Sequence, residues 1–253
     1  MENITIRDIC GNDKEEYIKL QKEMWIKPEN IDGDLEKLWE MKLEDEQINC
    51  TITDGNTIYG FCGVKRKVDV YPEVEIEIFK EYAHKGIGSD ALTLLLEKGA
   101  KEKGFRTFIA KVSPDNYPSI LLFRKLGAKT AGLKRNIVID EKETEEYETR
   151  NKDYITDNLR SVAKLFQVEA ECLLSHNLIF QMDMPISKVP QFDLELKGNL
   201  QYEKNIERCA YRYHKEYLVR ELTKIKDQIA NAKKKEDIEE SFKSLIAKME
   251  LLL

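Results

Sequence analysis

Hydrophobic and polar residues follow two different periods along the first 153 residues, and each period predicts one kind of element. Alternating or β-rich runs predict strands over residues 4–9, 47–53, 57–66, 74–78 and 106–112. Helical spacing predicts helices over residues 13–26, 34–43, 87–103 and 116–126. A final hairpin is expected from residues 128–139 and 145–153. This order predicts an α/β fold, with a mixed sheet and helices on both of its faces.

The C-terminal part of the chain carries mainly helical spacing. Helices are expected over residues 155–175, 201–233 and 237–252, with an extended, partly stranded segment over 177–200. Within 201–233, apolar residues recur at intervals of four and three, as in a coiled-coil seam: Leu218, Leu222, Ile225, Ile229 and Ala232.

Two domains are therefore expected. Residues 1–153 form the α/β domain, and residues 154–253 form a mainly helical domain that ends in a long helical hairpin over 201–252. This hairpin either covers its own seam and docks on the first domain, or it forms an arm that binds a second copy or another protein. The pattern leaves both arrangements open.

Composition narrows the function classes. The chain has 253 residues and a formal net charge of −6, which disfavours a basic nucleic-acid-binding domain. It contains no apolar run of about 18 residues, so no membrane helix is expected. The N-terminus lacks an apolar signal segment, and the five cysteines are scattered without a CxxC pair, so we expect a cytoplasmic protein with reduced thiols. His84, His176 and His214 are isolated, so no metal site is expected.

A glycine turn between the strand at 74–78 and the helix at 87–103 is the first candidate site. Gly86 and Gly88 let the backbone turn and approach a ligand closely, and the helix N-terminus behind them presents unpaired N–H groups. Such a turn suits a phosphate or pyrophosphate, although it also suits a plain strand-to-helix connection. It is neither a GxGxxG fingerprint nor a Walker loop.

A second segment, Ser113 to Ala128, follows the next predicted strand. With the glycine turn, it resembles the GNAT superfamily of acyl-CoA N-acyltransferases, in which a Q/R-x-x-G-x-G/A turn cradles the CoA pyrophosphate and a later Asn-containing segment ends the cofactor site. The sequence matches these motifs at the following positions: Gly86, Gly88, Asn116, Ser119, Lys125, Leu126 and Gly127. The residues of these motifs most closely resemble those of the branch that acetylates ribosomal-protein N-termini and polyamines. The resemblance covers about residues 1–153 and is strongest over 73–128.

The resemblance implies a GNAT-like fold for residues 1–153 and acetyl-CoA as cosubstrate. It implies cofactor-binding roles for these residues: Ile78, Phe79, His84, Lys85, Gly86, Ile87, Gly88, Ser89, Asn116, Ser119, Phe123 and Lys125. Asn116 also suits a helix N-cap, and one residue can serve both roles. His84 also suits an ordinary surface position.

Three positions depart from the family pattern. Ala83 stands where the turn has Gln or Arg, so one phosphate-facing side chain is missing. Phe123 stands where many members have a general-acid tyrosine, and phenylalanine has no proton to donate. Ala128 replaces the usual final aromatic residue.

Acetyl transfer to an amine requires a base, and two glutamates are candidates. Glu75 and Glu77 lie two residues apart on a strand and therefore share one face. Glu77 is preferred because it is nearer the glycine turn; a solvated strand face is the alternative for each. Ser119 and Tyr117 are the candidate acids near Phe123.

The sequence thus predicts an acetyl-CoA-dependent N-acetyltransferase that transfers the acetyl group directly, in a ternary complex, to a primary amine of a small molecule or protein. The alternative is a weak or inactive acyl-CoA-binding sensor or scaffold whose C-terminal helices bind a protein partner. An acetyltransferase acting on charged tRNA is a third hypothesis, which the acidic balance disfavours despite a basic patch at Lys65, Arg66 and Lys67.

Overall fold

The computed structural model describes the following residues: 3–24, 31–43, 48–65, 71–136, 141–189, 194–198, 200–202, 205–206, 219–220, 222–228 and 242–243. The side chains of residues 31–34 are outside this description.

A seven-stranded mixed sheet is the main feature. Its strands are β1 (Thr5–Asp8), β2 (Ile48–Thr53), β3 (Ile58–Lys65), β4 (Glu73–Ile78), β5 (Thr107–Val112), β6 (Lys129–Arg135) and β7 (His176–Asp183). The strand order is β1-β2-β3-β4-β5-β7-β6. Strands β1 to β4 are antiparallel neighbours, whereas β4 and β5 are parallel. The mixed α/β character predicted from the hydrophobic pattern is confirmed.

The helices bounded within the described chain are α1 (Lys14–Met24), α2 (Ile31–Lys42), α3 (Ile87–Lys103), α4 (Tyr117–Lys125), α5 (Glu141–Asn151) and α6 (Asp157–Phe166), and residues 222–228 are also helical. Helix α3 lies between two glycines in the left-handed conformation, Gly86 with φ 86° and Gly104 with φ 72°. A left-handed residue is costly for any side chain except that of glycine, so these two residues mark where the helix begins and ends.

One predicted element is wrong. Residues 145–153 do not form the second arm of a hairpin, because Glu141–Asn151 is helix α5. Thr144, Tyr147 and Asn151 are its buried residues, at intervals of three and four, which is the period of a helix rather than of a strand. The sheet neighbour of β6 is instead β7, which opens the segment expected to be extended.

The predicted helix over 155–175 is shorter than expected. Helix α6 begins after Thr156, whose side chain accepts a hydrogen bond from the N–H of Leu159, and it ends at Phe166. Gln167 follows in the left-handed conformation, with φ 57°. A 3₁₀ helix, Ala170–Leu174, follows within the predicted span.

The chain forms two compact units. Unit 1 comprises residues 1–111, 119–131 and 179–192, and unit 2 comprises 112–118, 132–178 and 193–253. The expected division at residues 153 and 154 stays a prediction. Most of the expected hairpin over 201–252 lies outside the described residues.

The core of unit 1 fixes the position of β4. Helices α1 and α2 cover one face of the sheet through a cluster of Tyr17, Leu20, Trp39, Phe61 and Phe79, each at most 4% exposed. Phe61 lies opposite Glu77 in the β3–β4 register, so Glu77 lies on the face that α1 and α2 cover.

No helix in the described ranges is long and apolar enough to cross a membrane.

Candidate active site

Strand β4 separates polar and apolar side chains onto opposite faces. Glu75 and Glu77 share the face of α1 and α2, as predicted from their spacing. Ile76 and Ile78 point to the other face, where their Cδ1 atoms lie close to Gly88 at the start of α3. The strand therefore has a carboxylate face and an apolar face that meets the glycine turn.

Strands β4 and β5 pair at one point and then separate. The registered pair is Glu73 with Ile109, where the N–H of Ile109 donates to the carbonyl of Pro72 at 2.9 Å. Within the described residues, the two strands share no later registered pair. The C-terminal half of β4 thus keeps β3 as a neighbour on one edge and has lost β5 on the other.

Backbone amides of β4 face this opening. The N–H of Phe79 donates to the carbonyl of Tyr59 on the β3 side, at 3.1 Å. Because successive strand residues direct their backbone groups to opposite edges, the N–H groups of Ile76 and Ile78 face the edge from which β5 has separated. This edge can donate hydrogen bonds to an extended ligand lying where a further strand would pair.

The glycine turn places a helix N-terminus beside the apolar face of β4. Gly86 is the left-handed N-cap of α3, and the N–H of Ser89 makes the first turn by donating to Gly86 at 3.0 Å. The N–H groups of Ile87 and Gly88 precede that bond and belong to the positive end of the helix dipole. A Cβ atom at Gly88 would lie 3.1 Å from Cδ1 of Ile78 and 3.4 Å from Cδ2 of Leu122. The lack of a side chain here lets α3 begin close to β4 and α4.

The other predicted residues of the turn differ in exposure. His84 is exposed and has a positive φ of 62°. Lys85 is exposed, with Nζ 5.4 Å from the ring centroid of Tyr82. Ile87 and Ser89 are buried, and in the described chain the hydroxyl of Ser89 has no hydrogen-bond partner. Lys85 therefore places an exposed positive charge beside the turn, and Asp90 places an exposed negative charge in the first turn of α3.

The second predicted segment is divided between the two units. Ser119, Phe123 and Lys125 belong to unit 1 with the glycine turn and both glutamates, whereas Asn116 and Tyr117 belong to unit 2. Ser119 is half-buried and Lys125 is exposed. The hydroxyl of Tyr117 lies 3.4 Å from that of Thr156.

Phe123 is a core residue. It is 3% exposed, and its ring stacks on that of Phe180 with centroids 6.0 Å apart. A side chain in this setting contributes packing.

Glu75 and Glu77 have different partners although they are neighbours on one face. The carboxylate of Glu75 forms ion pairs with Lys42, from the end of α2, and with Lys65, from β3. Glu77 accepts a hydrogen bond from the side-chain amide of Gln21 in α1, at 2.7 Å. Glu75 is thus bound by two cations and Glu77 by a neutral donor.

Burial changes the ionisation of the groups around these carboxylates. Burial lowers the pKa of Lys42 to about 8; the charge of Lys65 acts in the same direction, and that of Glu77 opposes it. Burial also raises the pKa of Tyr17, and the charge of Glu77 adds to this effect. Tyr17 therefore stays neutral at physiological pH.

Sequence reasoning missed three members of this group. The sequence patterns point to neither Gln21 nor Lys42, and they place Lys65 in a basic patch with Arg66 and Lys67, which lie outside the described residues. Lys65 instead pairs with Glu75. The strand register explains this contact: Lys65 is the last residue of β3 and lies opposite Glu73, the first residue of β4, two residues before Glu75.

In the described ranges, no three histidine, cysteine or acidic side chains are grouped to hold a metal ion.

Comparison with known proteins identifies the sequence family. A family model described as an acetyltransferase (GNAT) domain matches residues 3–129. No curated protein matches the sequence.

Solved structures give weaker similarities. A domain from Methanocaldococcus jannaschii is 21% identical, with 72% of this chain and 99% of that one covered and a TM-score of 0.48. Spermidine N-acetyltransferase from Vibrio cholerae, in complex with CoA and spermine, is 16% identical, with 52% and 84% covered and a TM-score of 0.46. Ribosomal-protein-S5-alanine acetyltransferase from Vibrio fischeri is 15% identical, with 78% and 97% covered and a TM-score of 0.47. Because these identities and TM-scores are low, the assignment of the chain to a family rests on the family model.

Proposed function

Because the chain belongs to the GNAT acetyltransferase family, we propose that it is an acetyl-CoA-dependent N-acetyltransferase that transfers the acetyl group directly to a primary amine in a ternary complex. The separation of β4 from β5 after Glu73 and Ile109 is the observation that carries this proposal. It supports the proposal because it leaves backbone N–H groups of β4 facing an open edge, beside the N-terminus of α3.

The residues around this opening suit an acyl-CoA. The N–H groups of Ile76 and Ile78 would hold the extended arm and polarise the acyl carbonyl. The N-terminus of α3 at residues 86–89 would hold the pyrophosphate, aided by the exposed charge of Lys85. Acetyl-CoA supplies an acetyl group activated as a thioester, and the products are an N-acetyl amine and the CoA thiol.

Glu77 is proposed as the general base that takes a proton from the acceptor amine. Its carboxylate accepts one hydrogen bond from the neutral amide of Gln21, so no cation stabilises its charge by direct contact in the described chain. Glu75 is the weaker candidate, since two ammonium groups bind its carboxylate and oppose its protonation. Base catalysis of this kind contributes about 10²–10⁴-fold.

Ser119 is the proposed proton donor for the departing thiolate. It is half-buried and lies in the same unit as Glu77, whereas Tyr117 lies in the other. A thiolate is a fair leaving group near neutral pH, so this contribution is smaller than that of the base.

A catalytically weak acyl-CoA sensor is the second candidate. The buried, stacked position of Phe123 favours it, because this side chain packs the core and cannot donate a proton. In that case, protein contacts made by the C-terminal helices would carry the function.

Calorimetric titration with acetyl-CoA, followed by an amine screen that detects free CoA thiol, separates the two candidates. An acetyltransferase binds acetyl-CoA and releases CoA only when a suitable amine is present. A sensor binds acetyl-CoA and releases none. Absence of binding at millimolar acetyl-CoA would contradict both.

A further inference from the structure

Helix α2 is attached to the sheet through its last residue, Lys42. The backbone carbonyl of Lys42 accepts a hydrogen bond from the side-chain amide of Asn49 in β2, at 2.9 Å. Its ammonium group pairs with Glu75 in β4, and its side chain is only 12% exposed. One residue thus joins the end of a helix to two strands, one of which carries the candidate base.

Glu75, Glu77, Lys42 and Lys65 form a group of four charges; Glu73, the next acidic residue on this face of β4, lies opposite Lys65 in the register. Glu75 and Glu77 contribute two negative charges, and Lys42 and Lys65 contribute two positive ones. Two further titratable groups interact with this set: Tyr17, from α1, with Glu77, and Cys62, from β3, with Lys42. Burial raises the pKa of both, so both stay neutral at physiological pH.

Two carboxylates at this spacing would otherwise disfavour each other's ionisation. Residues two apart on a strand are separated by about 7 Å, a distance at which like charges interact inside a half-buried site. A retained proton on either carboxylate would leave the pair with only one group able to act as a base. Lys42 and Lys65 both bind Glu75, so Glu77 is the carboxylate that remains available to accept a proton.

We propose that Lys42 is a positioning residue: it holds Glu75 as a bound carboxylate and so leaves Glu77 as the member of the pair that accepts the proton from the amine. This inference rests on the proposed acetyltransferase function. Lys42 touches neither substrate in this account; it acts by binding Glu75 and through its own charge, which interacts with that of Glu77. Removal of its charge leaves the four-charge group at −1, which makes ionised Glu77 less favourable.

The test is the pH dependence of kcat/KM for the full-length protein, with acetyl-CoA and an accepted amine. Lys42→Met should move the acid limb of the profile upward by about one pH unit, whereas Lys42→Arg keeps the charge and should leave the limb near its wild-type position. Lys37→Met is the matched control, because Lys37 is exposed on the same helix. It should leave the profile unchanged.

Substitutions at Glu75 show whether Lys42 acts by offsetting the charge of that residue. Glu75→Gln alone leaves the group at +1, so the acid limb should move downward. Lys42→Met combined with Glu75→Gln restores a net charge of zero, so the limb should return toward the wild-type position. A purely structural role of Lys42 predicts no such compensation, because the double variant has lost the ion pair as well.

Two results would overturn the inference. One is a wild-type pH profile in a folded Lys42→Met protein, with folding verified by its thermal melt. The other is loss of turnover in Glu75→Gln, which would make Glu75 the base. Failure of the proposed function is a separate result: the wild-type protein would then release no CoA at any pH, and the inference would fall with it.

Discussion

At the scale of single residues, chemistry in this protein depends on which neighbour each carboxylate meets. Glu75 and Glu77 have the same side chain, strand and face, yet one is held by two lysines and the other by a glutamine amide. Asp13 is a third case, because it is almost fully buried and serves the fold. Its carboxylate holds together Arg7, Cys10 and Thr51 by hydrogen bonds.

Glu77→Gln should lower kcat by about 10²–10³-fold and leave acetyl-CoA binding intact, because the amide keeps the shape but cannot take a proton. Steady-state CoA release and calorimetry measure the two quantities. Glu97→Gln is the control, since Glu97 is exposed on α3. A Glu77→Gln protein with wild-type kcat would remove Glu77 from the mechanism.

Asp13 should stabilise the fold in a pH-dependent manner. It is 1% exposed and accepts hydrogen bonds from Arg7 at 2.6 and 2.7 Å, from Thr51 at 2.8 Å and from the N–H of Cys10 at 2.9 Å. These partners outweigh burial and lower its pKa to about 2. The stabilisation is therefore complete above the unfolded pKa of about 4 and is lost as pH falls through about 2.

Asp13→Asn should lower the free energy of unfolding by about 1–3 kcal/mol at pH 7, and by less at pH 3. Urea unfolding at both pH values measures the difference. Asp153→Asn, at an exposed site, should change little. Equal losses at the two pH values would show that ionisation of Asp13 does not contribute.

At the scale of elements, the sequence predicted those helices and strands whose ends or alternation are set by neighbouring residues in the chain. Helix α3 was expected over the residues that form it, because glycines stand at both ends. Strand β4 was expected because Val74, Ile76 and Ile78 alternate with glutamates. Helix α5 was missed because its polar sequence allows both periods, and the neighbour that completes the sheet at β6 comes from β7, over 40 residues later.

Gly88 should matter more for cosubstrate binding than glycines elsewhere. Gly88→Ala adds a methyl group 3.1 Å from Cδ1 of Ile78, so the contact between the start of α3 and β4 must widen by a few tenths of an ångström. We expect acetyl-CoA affinity to fall about tenfold, equivalent to about 1.4 kcal/mol. Gly11→Ala is the matched control, because no atom lies within 4 Å of the added carbon and its φ is not positive. Equal affinities in calorimetry would separate the turn from cosubstrate binding.

At the scale of the whole molecule, sequence patterns predicted the fold class and the family, but not the ion pairs between distant segments. The contact of Lys42 with Glu75 joins residues 33 positions apart, and no local pattern encodes it. The same holds for the hydrogen bond from Gln21 to Glu77. The candidate base could thus be named from spacing, whereas the features that distinguish it from its neighbour required the fold.

The thiols should differ in reactivity across the molecule. Cys10 is exposed, whereas Cys50 and Cys62 are buried, which raises the pKa of Cys50 to about 12 and that of Cys62 further. Native protein should therefore react with a thiol reagent at Cys10 and leave Cys50 and Cys62 unmodified until urea unfolds it. Mass spectrometry of modified peptides gives the sites. Fast native modification of Cys50 would contradict the packing of β2.

Amine-dependent release of CoA is the most direct test of the central claim. The purified protein is given acetyl-CoA and a panel of primary amines, with the reactive protein thiols subtracted, and products are identified by mass. The account predicts CoA release that requires both protein and amine, with an acetylated amine as product. Tight binding of acetyl-CoA without release by any amine would contradict it and favour a sensor.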